Sequence, residues 1–146
     1  DSQVLTIWEG TTNVLSLDLL RALGDAPARE IAAEIERCGQ EIQAEPLRAT
    51  VDAARSCFHA AEQWRQQASA RGAEGVQSGA RRYAIATGYA LETALTAAHA
   101  EWSLRSEGDR RAMAAAVRLS RGLPRWEVPS AEDDLALARD VPHPPS

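Results

Sequence analysis

The clearest helical pattern in the chain is residues 84–102, AIATGYALETALTAAHAEW. Small or apolar residues recur there at alternating steps of four and three, the spacing at which antiparallel helices pack in bundles. The stretch therefore predicts a long helix whose small members let a neighbouring helix approach closely. The predicted packing positions are Ala84, Gly88, Leu91, Leu95, Ala98 and Trp102.

The sequence on either side of this helix predicts four more helices. Each has apolar residues at helical spacing and a capping or breaking residue at its ends. The glycine-containing stretch 71–79 predicts the main internal loop. Ala and Leu dominate the apolar content, which favours helix over strand, so the predicted fold class is all-α, a helical bundle. The four helices are a short buried one between Asn13 and Gly24, one from Pro27 to about Ala44, one from Pro46 with a stripe of Leu47, Val51, Ala54, Phe58, Ala61 and Ala68, and one from Asp109 to about Arg121.

Composition narrows the possible functions. The net charge of −5 argues against a general nucleic-acid binder, because neutralising phosphates requires a basic excess. No apolar run is long enough to span a bilayer, and residues 1–6 lack the features of a signal peptide, so a cytoplasmic location is expected. Cys38 and Cys57 are too few and too far apart for a disulfide scaffold or a metal site, and the three histidines do not cluster.

A dense motif precedes the first predicted helix: Ile7-Trp8-Glu9-Gly10-Thr11-Thr12-Asn13-Val14, with Arg21 twelve residues after the glutamate. It resembles the signature near the end of the acyl-CoA dehydrogenase catalytic domain, an aromatic residue followed by Glu-Gly-Thr, with a polar residue and an arginine in register. The resemblance covers about 21 residues. The rest of the chain is similar only in length and helical pattern to the C-terminal extensions of the very-long-chain enzymes and of the adaptive-response flavoproteins.

The resemblance implies a role for each motif residue. Glu9 would be the base that removes the α-proton of an acyl-CoA while FAD accepts hydride from the β-carbon. Gly10 would let the backbone approach the substrate thioester, and Thr11 and Asn13 would contact FAD. Trp8 would wall the flavin pocket, where most family members have Tyr. Taken alone, a glutamate before a helix is also a common capping residue.

The same resemblance implies the organisation and partners of a parent protein. Residues 1–24 would be the active-site loop and final helix of the catalytic domain, 25–128 a helical extension, and 129–146 an acidic, proline-rich tail that is partly disordered. Because the chain begins at Asp1 without an initiator methionine, we expect it to be part of a longer protein. The resemblance implies that this parent is a homodimeric enzyme that uses acyl-CoA and an electron-transfer acceptor. The role of Arg21 stays open between a buried pairing partner and catalysis.

A second reading is a helical binding or oligomerisation module of an adaptive-response-like flavoprotein, with DNA or a protein as its partner. Its support is a local cluster of arginines, which the acidic residues between 127 and 140 nearly balance. A solvated helix face accounts for most such clusters. The cluster comprises Arg105, Arg110, Arg111, Arg118, Arg121 and Arg125.

Overall fold

The computed structural model describes residues 14–22, 25–70, 72, 75–76 and 79–124. All regular secondary structure in these ranges is helical, which confirms the predicted all-α bundle. We number the helices α1 (14–22), α2 (Asp25–Gln40), α3 (Glu45–Ala70), α4 (Ala80–Glu107) and α5 (Arg111–Ser120).

Local chemistry sets the ends of these helices. Pro27 lies in the first turn of α2, where its missing N–H costs nothing. The α2 helix ends at Gln40, four residues before the predicted end, although Ile42 stays buried just beyond it. Gly108 closes α4 with φ of 68°, a left-handed conformation that glycine adopts without strain. Asp109 accepts a hydrogen bond from the Arg111 N–H at 2.8 Å, as its predicted capping role requires.

Contacts between side chains show that α2, α3 and α4 are successively antiparallel. Arg55 in the middle of α3 binds Glu36 near the end of α2, with Nη2 2.8 Å from Oε2. Tyr83 at the start of α4 reaches Glu62 late in α3, whereas Glu101 late in α4 reaches Ala44 just before α3. The α5 helix packs against α3 and α4, and its Ala116 is fully buried.

The predicted stripe of α3 is confirmed, since all six of its residues are buried. Across from it, α4 contributes mainly alanines, and these short side chains bring the two backbones close together. On the α4 side, the core at this interface is therefore built mainly from small side chains. The buried α4 alanines are Ala80, Ala86, Ala90, Ala94, Ala97 and Ala100.

The predicted packing face of α4 is wrong in part. Leu91 and Ala98 pack against the core as partly buried residues, but Leu95 and Trp102 are 43% and 54% exposed, and a Cβ at Gly88 would have no atom within 4 Å. The side of α4 that faces the core consists mainly of alanines, with Tyr83 near the start of the helix.

The prediction of a buried first helix is also wrong in part. Val14 and Leu15 are 58% and 63% exposed, whereas Leu19 and Leu20 pack against the core as partly buried residues. The α1 helix therefore attaches to the bundle by one side of its second half.

Candidate functional site

The predicted flavin and substrate site lies outside the described residues. This holds for the base Glu9, for Gly10 and for the predicted FAD contacts Trp8, Thr11 and Asn13. The geometry of these residues therefore adds nothing to the prediction. The described part of the motif begins at Val14, the first residue of α1.

Arg21 is the motif arginine, and the structure describes its side chain on α1. Its side chain is 73% exposed, and Nη1 lies 3.0 Å from Oδ1 of Asp18, one turn earlier on α1. Arg21 thus has a pairing partner in Asp18, but the pair lies at the surface. The first predicted alternative was a buried pairing partner, which this pair is not. Such exposed pairs add little to stability.

A charged cluster lies between α2, α3 and α4. Arg65 and Glu62 are each 13% exposed, and Nη2 of the arginine lies 2.9 Å from both Glu62 Oε2 and Asp25 Oδ1. The buried phenol of Tyr83 donates a hydrogen bond of 2.5 Å to Glu62 Oε1. One carboxylate thus receives a charged donor and a neutral donor from two helices.

Electrostatics make this cluster unreactive. Burial, together with the hydrogen bond to Glu62, raises the pKa of Tyr83 well above its usual value. The hydrogen bond from Arg65, reinforced by its charge, lowers the pKa of Asp25. A phenol that holds its proton and a carboxylate paired with a guanidinium are poor proton carriers at neutral pH. The cluster joins helices and is not a catalytic centre.

Trp64 packs beside this charged cluster, next to the loop that precedes α4. Its ring lies 6.1 Å from that of Tyr83, with the ring planes tilted by 33°. A Cβ built on Gly79 would lie 2.0 Å from the indole, so only glycine fits at the residue before α4. The indole and the phenol together keep water from Glu62.

A small cleft lies at the opposite end of the bundle, between the end of α2 and the end of α4. It encloses about 170 Å³, and the 4%-exposed Glu101 lies at its wall. Glu101 Oε2 accepts the Ala44 N–H at 3.2 Å, which fixes the link between α2 and α3. This carboxylate therefore has a structural role that explains its burial. Trp102, Cys38, Arg37 and Arg105 also line the cleft.

Five of the arginines on which the DNA hypothesis rests lie at the surface. Arg105, Arg110, Arg111, Arg118 and Arg121 are exposed, and the last two flank a shallow groove over Met113 and Val117 on α5. Arg111 also binds Asp109, with Nη2 2.7 Å from Oδ2. Arg125 falls outside the described ranges.

The two cysteines are buried, whereas the neighbouring His59 is exposed. Cys38 and Cys57 are buried free thiols, and burial raises the pKa of both. His59 is exposed while Cys57 faces the core, so the two form no nucleophile–base pair. The described residues contain no group of three potential metal ligands. None of their helices combines the length and the apolar character that crossing a bilayer would require.

One surface feature was not predicted. Six residues form a line along the outer side of α4, which we call the outer row of α4: Ile85, Gly88, Glu92, Leu95, His99 and Trp102. All six are exposed, and the rings of His99 and Trp102 are stacked with centroids 5.7 Å apart. In the sequence these six residues recur at steps of three and four. The residues of the neighbouring buried face recur at the same steps, so the spacing alone does not show which face is exposed.

Comparison of the chain with protein-family models, with curated proteins and with solved structures gives no match.

Proposed function

We propose that the chain is the C-terminal part of an FAD-dependent acyl-CoA dehydrogenase, in which Glu9 removes the α-proton of the acyl-CoA thioester. The observation that carries this proposal is the motif from Ile7 to Arg21. It contains the carboxylate, the glycine, the hydroxyl and amide side chains and the arginine that the family signature requires, in the same order and spacing.

The proposed reaction requires the kinds of group that the motif contains. Desaturation needs a base at the α-carbon and hydrogen-bond donors for the thioester oxygen as enolate charge develops. In this proposal the helix that follows the glutamate supplies unpaired backbone N–H groups at its first turn. In this proposal Gly10 gives the substrate access to the backbone, and Trp8, Thr11 and Asn13 bind FAD.

Nothing among the described residues competes with this assignment. Glu62 accepts hydrogen bonds from Tyr83 and Arg65, and Glu101 accepts the Ala44 N–H. The helices α2 to α5 would then form the extension of the enzyme. In this proposal the parent enzyme is a cytoplasmic homodimer that passes its electrons to a separate acceptor.

The test uses the full-length protein. Purified protein should be yellow with bound FAD, and a saturated acyl-CoA added without oxygen should bleach the flavin. Glu9→Gln should keep the flavin and still bind acyl-CoA but reduce bleaching by at least about 1,000-fold, because an amide cannot take the proton. The matched control is Glu30→Gln on the exposed side of α2, which should bleach normally. A colourless full-length protein would refute the proposal.

The second candidate is a DNA-binding helical module, favoured by the exposed arginines of α5. It predicts a gel shift that weakens steeply with salt and disappears in an Arg118→Glu, Arg121→Glu double variant. Absence of any shift at low salt would exclude it.

A further inference from the structure

The exposed side of α5 carries arginines that have no acidic partner among the described residues. Residues 110–124 contain four arginines and no acidic residue. Arg111 is held in an ion pair at the start of the helix. No ion pair within the described ranges involves Arg110, Arg118 or Arg121, and all three are exposed. Because like charges on one short helix repel one another, an acidic group placed among them is favoured.

The shallow groove of α5 adds apolar surface beside two of these arginines. Met113 and Val117 form its floor and are half-buried, and Arg118 and Arg121 flank it. All the lining residues belong to α5 or directly follow it, so no other described helix covers the groove. The surface therefore fits a chain segment in which acidic and apolar side chains lie close together.

The sequence that follows the described part of the chain has this composition. Residues 126–140 contain five acidic residues and one arginine, a net charge of −4 out of the −5 of the whole chain. Glu132, Asp133 and Asp134 are consecutive, and Leu135 follows them directly. The segment is thus complementary to the groove both in charge and in its adjoining apolar residue.

The end of the described chain lies close to the groove along the sequence. The α5 helix ends at Ser120, and the described residues continue only to Pro124. Asp133 is 12 residues after Arg121, and a chain of that length spans up to about 40 Å, whereas a ten-residue helix is about 15 Å long. The segment is therefore long enough to fold back over α5. So short a tether gives a local concentration of about a millimolar, at which weak surface ion pairs suffice.

We propose that residues 126–140 dock in the groove of α5. The three consecutive acidic residues pair with Arg118 and Arg121, and Leu135 covers the apolar floor. The docked segment and a nucleic acid would compete for the same two arginines, because carboxylate and phosphate oxygens both accept hydrogen bonds from a guanidinium group. The docking uses no feature of the flavin site, so it holds or fails separately from the proposed enzymatic role.

A disulfide in the 146-residue chain tests the docking directly. In an Ala114→Cys, Leu135→Cys double variant, one new thiol lines the groove and the other lies in the docking segment. Mild oxidation should give an intramolecular disulfide, seen as a faster band on a gel that a reducing agent reverses. The matched control, Ala33→Cys, Leu135→Cys, has its first thiol on the exposed side of α2 and should give at least about tenfold less.

Two outcomes of the cross-linking would overturn the proposal. A covalent dimer in place of the intramolecular disulfide would mean that the segment docks on a second copy. Equal yields from the groove variant and the control would mean that the segment has no preferred place on α5. The native Cys38 and Cys57 are buried and do not compete for the new thiols.

Hydrogen exchange measured by mass spectrometry tests the role of charge. The backbone amides of residues 130–140 should exchange at least about fivefold more slowly in the wild-type chain than in an Arg118→Glu, Arg121→Glu variant, because docking protects them. The matched control is an Arg29→Glu, Arg48→Glu variant, which changes two exposed arginines on α2 and α3 and should leave the exchange as in the wild type.

Reversing the charges on both sides separates pairing from a general effect of charge. Adding Glu132→Arg and Asp133→Arg to the Arg118→Glu, Arg121→Glu variant should restore the slow exchange, since each pair is formed again with the opposite sign. Equal exchange in the wild type and the Arg118→Glu, Arg121→Glu variant would overturn the proposal. So would a charge-reversed variant that stays unprotected.

Discussion

The Tyr83 phenol donates a hydrogen bond to the Glu62 carboxylate across the interface of α3 and α4, with Oη 2.5 Å from Oε1. The two residues are 21 positions apart and lie on helices that run in opposite directions. The contact is possible because the alanines of α4 bring the helices together. It joins the start of α4 to the later part of α3.

Replacing Tyr83 with Phe should lower the free energy of unfolding by about 1–2 kcal/mol, because a buried carboxylate loses one of its donors. Arg65 remains bound to Glu62 and limits the loss. Urea unfolding followed by circular dichroism measures the change. Tyr89→Phe, at an exposed position on the same helix, is the control and should stay within about 0.5 kcal/mol of the wild type.

Alkaline pH should remove the contribution of Tyr83. Because burial and Glu62 raise the pKa of this phenol in the folded state, the folded chain keeps its proton at pH values where the unfolded chain loses it. The contribution is complete below about pH 10, the usual pKa of tyrosine, and is lost as the pH rises further. The chain contains no lysine, so few other groups titrate there. The difference in unfolding free energy between wild type and Tyr83→Phe should shrink as the pH rises from about 10 to about 12; a constant difference would contradict this account.

Two glycine-to-alanine changes should have opposite effects. Gly108 has φ of 68° and open space around its Cβ position, so alanine there should cost about 1 kcal/mol through backbone strain alone. Gly88 lies inside α4, also with open space, so alanine there should stabilise the fold by up to about 1 kcal/mol. Thermal unfolding of both variants measures this, and the same sign for both would contradict the assigned conformations.

Enlarging an alanine at the interface of α3 and α4 should be costly. Ala94→Leu adds three carbons to a fully buried position between closely packed helices and should destabilise by about 1–3 kcal/mol or more. Ala115→Leu, on the exposed side of α5, is the matched change and should be nearly neutral. Equal effects in urea unfolding would mean that α3 and α4 are not in close contact.

The native thiols should be protected by the fold. Cys38 and Cys57 are 3% and 8% exposed, and burial raises the pKa of both, so little thiolate is present or accessible at about pH 8. A disulfide reagent should label neither in the native chain and both in urea. Ser56→Cys, exposed beside Cys57, should react at once and shows that the reagent reaches α3.

The sequence predicted the helices well because their ends carry residues with strong local preferences, such as Pro27 and Gly108. The stripe of α3 was predictable because its large apolar residues, from Leu47 to Phe58, lie on one side only. The packing face of α4 was not, since this helix has apolar residues on two sides. Only the distance to α3 decides that the alanines face inward.

The polar contacts depend on information that a single sequence does not contain. The approach of Tyr83 to Glu62 and of Glu101 to Ala44 requires the antiparallel register of α3 and α4. The prediction of the catalytic residues, in contrast, depends on a local motif and not on the register of the helices. Glu9 and its neighbours were found through the local motif, and they lie outside the described residues, so their roles stay predictions.

The fit of Trp64 against Gly79 makes one position of the loop intolerant of change. Any side chain at residue 79 would push the indole aside, and the indole packs on the ring of Tyr83. The displacement would then reach Glu62 and Arg65, and through Arg65 the first residue of α2. A methyl group at residue 79 would thus disturb contacts that join α2, α3 and α4.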